Sequence, residues 1–220
     1  MRFTLLAVTK SFDGFCIAGM NDDGEWIRPI SQASLGRFWT RAELTIGGRF
    51  ARPGDVWDIN GGAPQFFQYP NHTEDFLLTN WRFLGTLNHD DFLHFLAERC
   101  EGPDDLEDVF HANGRSLCLV KVDSFEYYTT NYDNKHRARM IFNSTELDII
   151  NPHTNNGNIV VKDCKWEGHL LRNEPIPFLY RQVYVCIGLA TPSGFNGIEY
   201  PQVVGLHTIP HLNFSLNYPD

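Results

Sequence analysis

Residues 8–31 read VTKSFDGFCIAGMNDDGEWIRPIS. Two turn signals, Asp13-Gly14 and the run from Asn21 to Gly24, fall between short stretches rich in strand formers. Those stretches are FTLLAVT (3–9), FCIAG (15–19) and EWIRPI (25–30). The spacing predicts a β-meander. Pro29 ends the third strand or puts it at an edge, because proline has no N–H to give to a ladder. Residues i and i+2 of a strand share a face, so Trp26 and Arg28 point one way and Ile27 the other. That face is either core, with Arg28 paired to an acid such as Asp22 or Asp58, or a surface that stacks something flat and anionic. Ser31, just beyond, and Lys10, before the first turn, belong to the same candidate surface.

The pattern continues outward in both directions. GDVWDIN (54–60) alternates as a strand, and residues 72–87 supply one or two more. SLGRFWTRAEL (34–44) carries a short helix signal. The clearest helix is HDDFLHFLAERC (89–100), with Phe92, Leu93, Leu96 and Cys100 on one face and Asn88 placed to cap it. An acidic stretch bracketed by Pro103 and Gly114 follows, and strands resume at 116–130, 136–143, 146–150, 181–190 and 200–209. Residues 159–180 give no clear signal. LLAVTKSF (5–12) is echoed by LCLVKVDSF (117–125), each opening one half of the chain. The economical reading is a mainly β protein of two tandem OB-like barrels, residues 1–110 (ending in the helix at 89–100) and 115–220.

Composition sets the outer limits. The chain has 220 residues, 42% of them hydrophobic, 14% aromatic and 20% charged, which suits a packed core and argues against disorder. No apolar run approaches the roughly 20 residues of a membrane span, and the N-terminus turns polar too soon for a signal peptide. The five cysteines are scattered with no paired spacing, as expected for free thiols in a reducing compartment. Together these predict a cytoplasmic protein that does not engage a membrane. The net charge of −9 argues against a protein that coats nucleic acid through bulk electrostatics. The charge is uneven, however. Residues 27–52 hold five arginines (Arg28, Arg37, Arg41, Arg49, Arg52) against Glu43 alone, whereas residues 90–108 are strongly acidic.

The opening stretch resembles the start of the dual OB-containing domain family of prokaryotic proteins, in which C-x-A-G is followed by W-[IV]-R-P-[IV]-S. The second half is similar in outline: LCLVKVDSF, then HRARMIFN with ELDIINP, then YVCIGLATP and YPQVVGLHTIP. Asn151 stands where that family tends to carry an aspartate before the proline. The resemblance implies two OB folds and the binding of nucleic acid or a nucleotide, in a setting of prokaryotic antiviral defence or nucleic-acid modification.

OB barrels hold single strands with aromatic rings that stack bases and cations that follow phosphates. The strand 2–3 face is the usual place, which is where Trp26 and Arg28 fall. Arg137 and Arg139 form a second pair at i, i+2, beside Lys135 and His136. They make either a phosphate clamp or a solvated face turned to the acidic segment. For metals, His207 and His211 lack a third ligand, and Pro210 disfavours the helix that would align them. The same lack applies to Asp90, Asp91 and His94. No phosphate-binding glycine loop, nucleophile elbow or zinc-protease motif is present, and no cofactor is implied. A distant Cys–His pair stays open. The first reading is therefore a non-enzymatic binder of single-stranded nucleic acid or nucleotide through Lys10, Trp26, Arg28, Ser31, Arg137 and Arg139. The alternatives are an enzyme of nuclease or glycohydrolase type in the same cleft, and a subunit whose barrels dock a partner protein.

Overall fold

The computed structural model describes all residues except 32–37, 103–108, 110–113, 133–134, 144–157, 174, 177–180, 195 and 212–220. The expected strand at 146–150 and Asn151 lie outside the described residues, as does Arg37. The chain divides into two compact units, Met1–Arg99 and Cys100–Asp220.

The first unit opens with the meander: β1 (Arg2–Ser11), β2 (Gly14–Asn21) and β3 (Trp26–Ser31). A short hairpin, β4 (Thr45–Ile46) and β5 (Arg49–Phe50), precedes β6 (Asp55–Gly62) and the long β7 (Asp75–Thr86). The strands close a barrel in the order β1-β2-β3-β7-β6, with β6 returning to β1. All pairings are antiparallel except β3 with β7. That Greek-key circuit is an OB connectivity. The glycine of the C-x-A-G string has a local cause. At Gly19 a Cβ would sit 2.0 Å from the carbonyl oxygen of Thr4, so the bulged approach of β1 to β2 leaves room for hydrogen only.

Pro29 does not end β3, since the strand runs on to Ser31, but it lies where one side of the strand is a local edge. Pairing with β2 stops at Ile27, so the missing N–H falls on a side where no ladder continues. The Pro29 carbonyl there accepts the indole N–H of Trp39 at 2.8 Å. Trp39, Trp57 and Trp81 then pack ring against ring, with Trp57 and Trp81 stacked at 4.7 Å. The helix expected at 34–44 is not what its described part forms: Trp39 makes a bridge to Phe15, and the chain then turns through residues 41–44. The buried Trp39 overrides the helical pattern by plugging the barrel.

The helix α1 (His89–Glu98) forms as expected, and Asn88 caps it by accepting the Asp91 N–H at 2.8 Å. It buries Phe92, Phe95 and Leu96; Leu93 and Cys100 are only half-buried.

The second unit contains β8 (Leu117–Val122), β9 (Ser124–Tyr132), β10 (Lys135–Asn143), β11 (Asn158–Val161), α2 (Cys164–Leu171), β12 (Gln182–Leu189) and β13 (Pro201–Ile209). The sheet order is β8-β12-β13-β11-β10-β9. Its two edge strands are consecutive in the chain, separated by Asp123 alone. With β8 and β9 taken as halves of one bent strand, the connectivity repeats that of the first barrel, down to a single parallel pair, β11 with β13. The strand read from sequence as one run, 116–130, is that bent strand.

Helix α2 falls in the stretch that gave no clear signal. Asp163 caps it, accepting the Trp166 N–H at 2.9 Å. Trp166 and Leu170, four apart, enter a core built from Val120, Phe125, Met140 and Val185. The helix is only eight residues long, too short for its periodicity to stand out.

Candidate nucleic-acid interface

The side chains of the opening motif are buried in the first unit. Trp26, Arg28 and Ser31 are 6%, 4% and 7% exposed. Of the two readings left open for that face, core with a buried ion pair is the one these side chains occupy. The partners differ from those expected. Arg28 Nη1 donates to Asp75 at 2.9 Å and meets His72 Nδ1 at 2.7 Å, and Nη2 donates to Glu74. The acids come from the start of β7 because β7 runs parallel to β3, in register Arg28 to Asp75. Asp22 and Asp58 instead lie near the surface cations Arg2 and Arg82. Burial works against the Arg28 charge, but Glu74, Cys16 and Asp75 outweigh it and raise the guanidinium pKa.

Ser31 Oγ donates to Glu43 at 2.6 Å. Burial of Glu43 opposes its charge, yet hydrogen bonds from Ser31 and Thr40 hold the carboxyl below its ordinary value. Another of the clustered arginines is also committed internally, since Arg49 forks onto the buried Asp55 at 2.8 and 2.7 Å. The arginine-rich stretch 27–52 thus spends two of its charges on architecture. Lys10 is exposed at the end of β1.

The second barrel presents a strand face to solvent. Along β10, Ala138, Met140 and Phe142 are buried, and alternation turns Arg137 and Arg139 outward. Register aligns Arg137 with Thr130 of β9, and Arg139 with both Tyr128 of β9 and Val160 of β11. Val160 in turn pairs with Gln202 of β13. Tyr128, Arg139, Val160 and Gln202 therefore form one rung across four strands.

A groove of about 1120 Å³ runs over this face. The strands supply Tyr128, Thr130, Lys135, His136, Arg137, Arg139, Asn158 and Val160. Its far wall is Lys162, the β12–β13 loop (Ala190, Thr191, Ser193, Tyr200) and the start of β13. In OB terms this is the strand 2–3 face with the loop between strands 4 and 5.

The cations in the groove are of two kinds. Arg139 is held: Nη1 donates to the Asn158 carbonyl and to Asn158 Oδ1, both at 3.3 Å, and Asn158 Nδ2 donates to the Tyr128 hydroxyl. Lys135, His136 and Arg137 are exposed, and their side chains make no hydrogen bond or ion pair among the described residues. Lys162 is restrained by Glu167 at 3.2 Å. Among the described residues the lining contains no aspartate or glutamate. The loop wall is itself pinned by Ser193 N to Ile198 O at 3.0 Å, and by Asn196 Nδ2 to the Tyr200 hydroxyl at 2.7 Å.

Other groups weighed for chemistry are placed as follows. Cys186 Sγ lies 3.8 Å from His207 Nε2. Both are buried, and burial pushes the thiol pKa well above its ordinary value, so the pair holds no ready thiolate. His211 is exposed, 3.4 Å from Lys165 Nζ. Among the described residues no group of three or more His, Cys, Asp or Glu side chains is arranged to hold a metal ion. None of the helices described is long and apolar enough to cross a membrane.

The sequence missed Tyr128, Asn158 and the β12–β13 loop as parts of this surface. Tyr128 sits in a run already read as strand. Asn158 becomes relevant only through its register with β10, which no local pattern reveals.

Two barrels of shared Greek-key connectivity, one with an open cationic strand face, define a tandem OB protein. The family model of the dual OB-containing domain matches residues 1–206, and the chain belongs to that family. No match was found among curated proteins or among solved structures. OB-fold domains generally bind nucleic acids or oligonucleotides.

Proposed function

We propose that the protein binds single-stranded nucleic acid, with a nucleotide as its minimal ligand, in the groove over β9, β10 and β11. The observation that carries this reading is a groove lined by Lys135, Arg137, Arg139 and Lys162 and, among the described residues, by no carboxylate, on a chain whose net charge is −9. Such a local reversal of sign favours an anion there and disfavours non-specific coating elsewhere.

The side chains divide the work. Arg137 and Lys135, free and exposed, neutralise phosphates. Arg139, whose plane is fixed by Asn158, and Tyr128 beside it offer flat surfaces to a base or sugar. The volume exceeds the roughly 300–1,000 Å³ of small-molecule pockets, which suits a short run of strand. A role in prokaryotic defence or nucleic-acid modification is the setting that the family resemblance suggests.

The test is fluorescence anisotropy with labelled single strands across a salt series. Affinity should fall linearly with salt on logarithmic axes, by about 0.7 per phosphate contacted. Joint replacement of Arg137 and Arg139 by alanine should lower that slope by about two phosphate equivalents and remove most of the binding. Wild-type affinity in that double variant would refute the site.

A further inference from the structure

The two loops that flank the strand face of an OB barrel join strands 1 and 2 and strands 4 and 5. In the first barrel these are the Phe12–Asp13 turn and residues 63–74. Among the described residues the exposed phenylalanines are Phe12, Phe66 and Phe67, at 79%, 81% and 38%. All three sit on those two loops.

Phe12 is also conformationally misplaced. It occupies the first central position of a two-residue hairpin with φ +50°, and Asp13 does not share the positive φ. Glycine is the ordinary choice there, and a bulky residue is a genuine outlier. Folding alone gives no reason for an exposed ring at a strained position, and strain of this kind concentrates where ligands are held. Phe38 lies against the ring at 5.5 Å, which limits its orientation. Lys10, exposed two residues earlier, makes no ion pair or hydrogen bond among the described residues. The second loop reads APQFFQYP over 63–70, without a charge. It is rooted where the Tyr69 ring packs on His72, the partner of Arg28.

We infer that these loops form a second single-strand contact, in which unpaired bases stack on Phe12 and on Phe66–Phe67 while Lys10 meets a phosphate. The inference rests on the proposed reading that the ligand is a single strand. It assigns the first barrel a sequence-tolerant role, because every base has a face to stack. A protein-docking patch would mix aliphatic side chains with the rings. Among the described residues the exposed leucines, Leu84 and Leu171, lie elsewhere, in β7 and α2.

The experiment uses the full chain with a single-stranded oligonucleotide carrying 5-iodouracil, photo-crosslinked and mapped by peptide mass spectrometry. Adducts are expected at Phe12 and at Phe66 or Phe67, besides Tyr128 in the groove. Phe12→Leu and Phe66→Leu keep apolar bulk but remove the ring. Each should weaken binding roughly 5- to 150-fold, the range for one stacked base. Phe12→Gly should do the same while leaving the thermal midpoint unchanged or higher, since glycine tolerates the positive φ. Adducts confined to the groove, with both leucine variants binding as wild type, would overturn the inference and leave the proposed function standing. Absence of adducts and of binding altogether would overturn both.

Discussion

In the first barrel the arginine of the third strand is locked inside, 4% exposed, between two carboxylates and an imidazole. In the second barrel the arginines of the second strand stand outside, over a groove that has no carboxylate among its described residues. The connectivity is the same, so the fold does not decide where the cations go. The neighbours in register do. Parallel pairing sets Arg28 opposite Asp75 in the first barrel. In the second, the matching parallel pair sets Val160 opposite Gln202, and among the described residues no acid lines the groove beside Arg139. A duplicated architecture can thus bury an arginine in one unit and expose arginines over a groove in the other.

That contrast breaks most readily at Arg28. Arg28→Ala removes the cation that faces the buried Glu74 and Asp75, and should cost about 3–5 kcal/mol in denaturant unfolding. Arg137→Ala, on an exposed strand face, should stay within about 0.5 kcal/mol of wild type. Equal effects at the two sites would erase the distinction between the buried and the exposed arginine.

Gly19→Ala tests the same barrel by packing alone. A Cβ there meets backbone, which cannot swing aside, so the loss should reach or exceed the roughly 1–3 kcal/mol of ordinary overpacking. The matched change Gly62→Ala, where a Cβ meets nothing within 4 Å, should be far milder in the same assay.

On the open side, Arg137→Ala should lower the salt slope by about one phosphate equivalent and weaken all sequences alike. Arg139→Lys keeps the charge but loses the plane held by Asn158. It should leave the slope intact and lower affinity about tenfold, in anisotropy titrations at several salt concentrations.

The last effect concerns the cap of α2. Burial pushes the Asp163 carboxyl up to about 7, against the hydrogen bond from Trp166 and the charge of Lys165. Its ordinary value is 3.8, so between the two the folded chain holds a proton that the unfolded chain has released. Stability from this group is complete below about pH 4, declines as pH rises, and is spent above about pH 7. Asp163→Asn keeps a cap acceptor without the titration. The thermal midpoint of the variant should gain on wild type from pH 4 to 7 and then run parallel. A constant offset across that range would contradict the assignment.

Much of the architecture was legible because it is local. Alternation and turn residues marked β1, β2, β3, β6, β12 and β13, and Asn88 with two aspartates marked α1. The echo between residues 5–12 and 117–125 exposed the repeat of the barrel. What escaped depends on contacts distant in sequence. Trp39 displaces a helical pattern because Trp57, Trp81 and the Pro29 carbonyl surround it. The partners of Arg28 lie 46 and 47 residues away, and only the parallel register of β3 and β7 brings them near. The i, i+2 spacing that flagged Trp26–Arg28 and Arg137–Arg139 is the same in both. Spacing gives the face a pair shares, whereas burial of that face is set by what the rest of the chain lays across it.

The most direct test is residue-level mapping of a bound strand. In amide shift perturbation with a short single-stranded oligonucleotide, the changes should centre on residues 128–139, 158–162 and 190–202, with strand residues 26–31 silent. Perturbation centred on residues 26–31, with the β9–β11 face unmoved, would contradict the account.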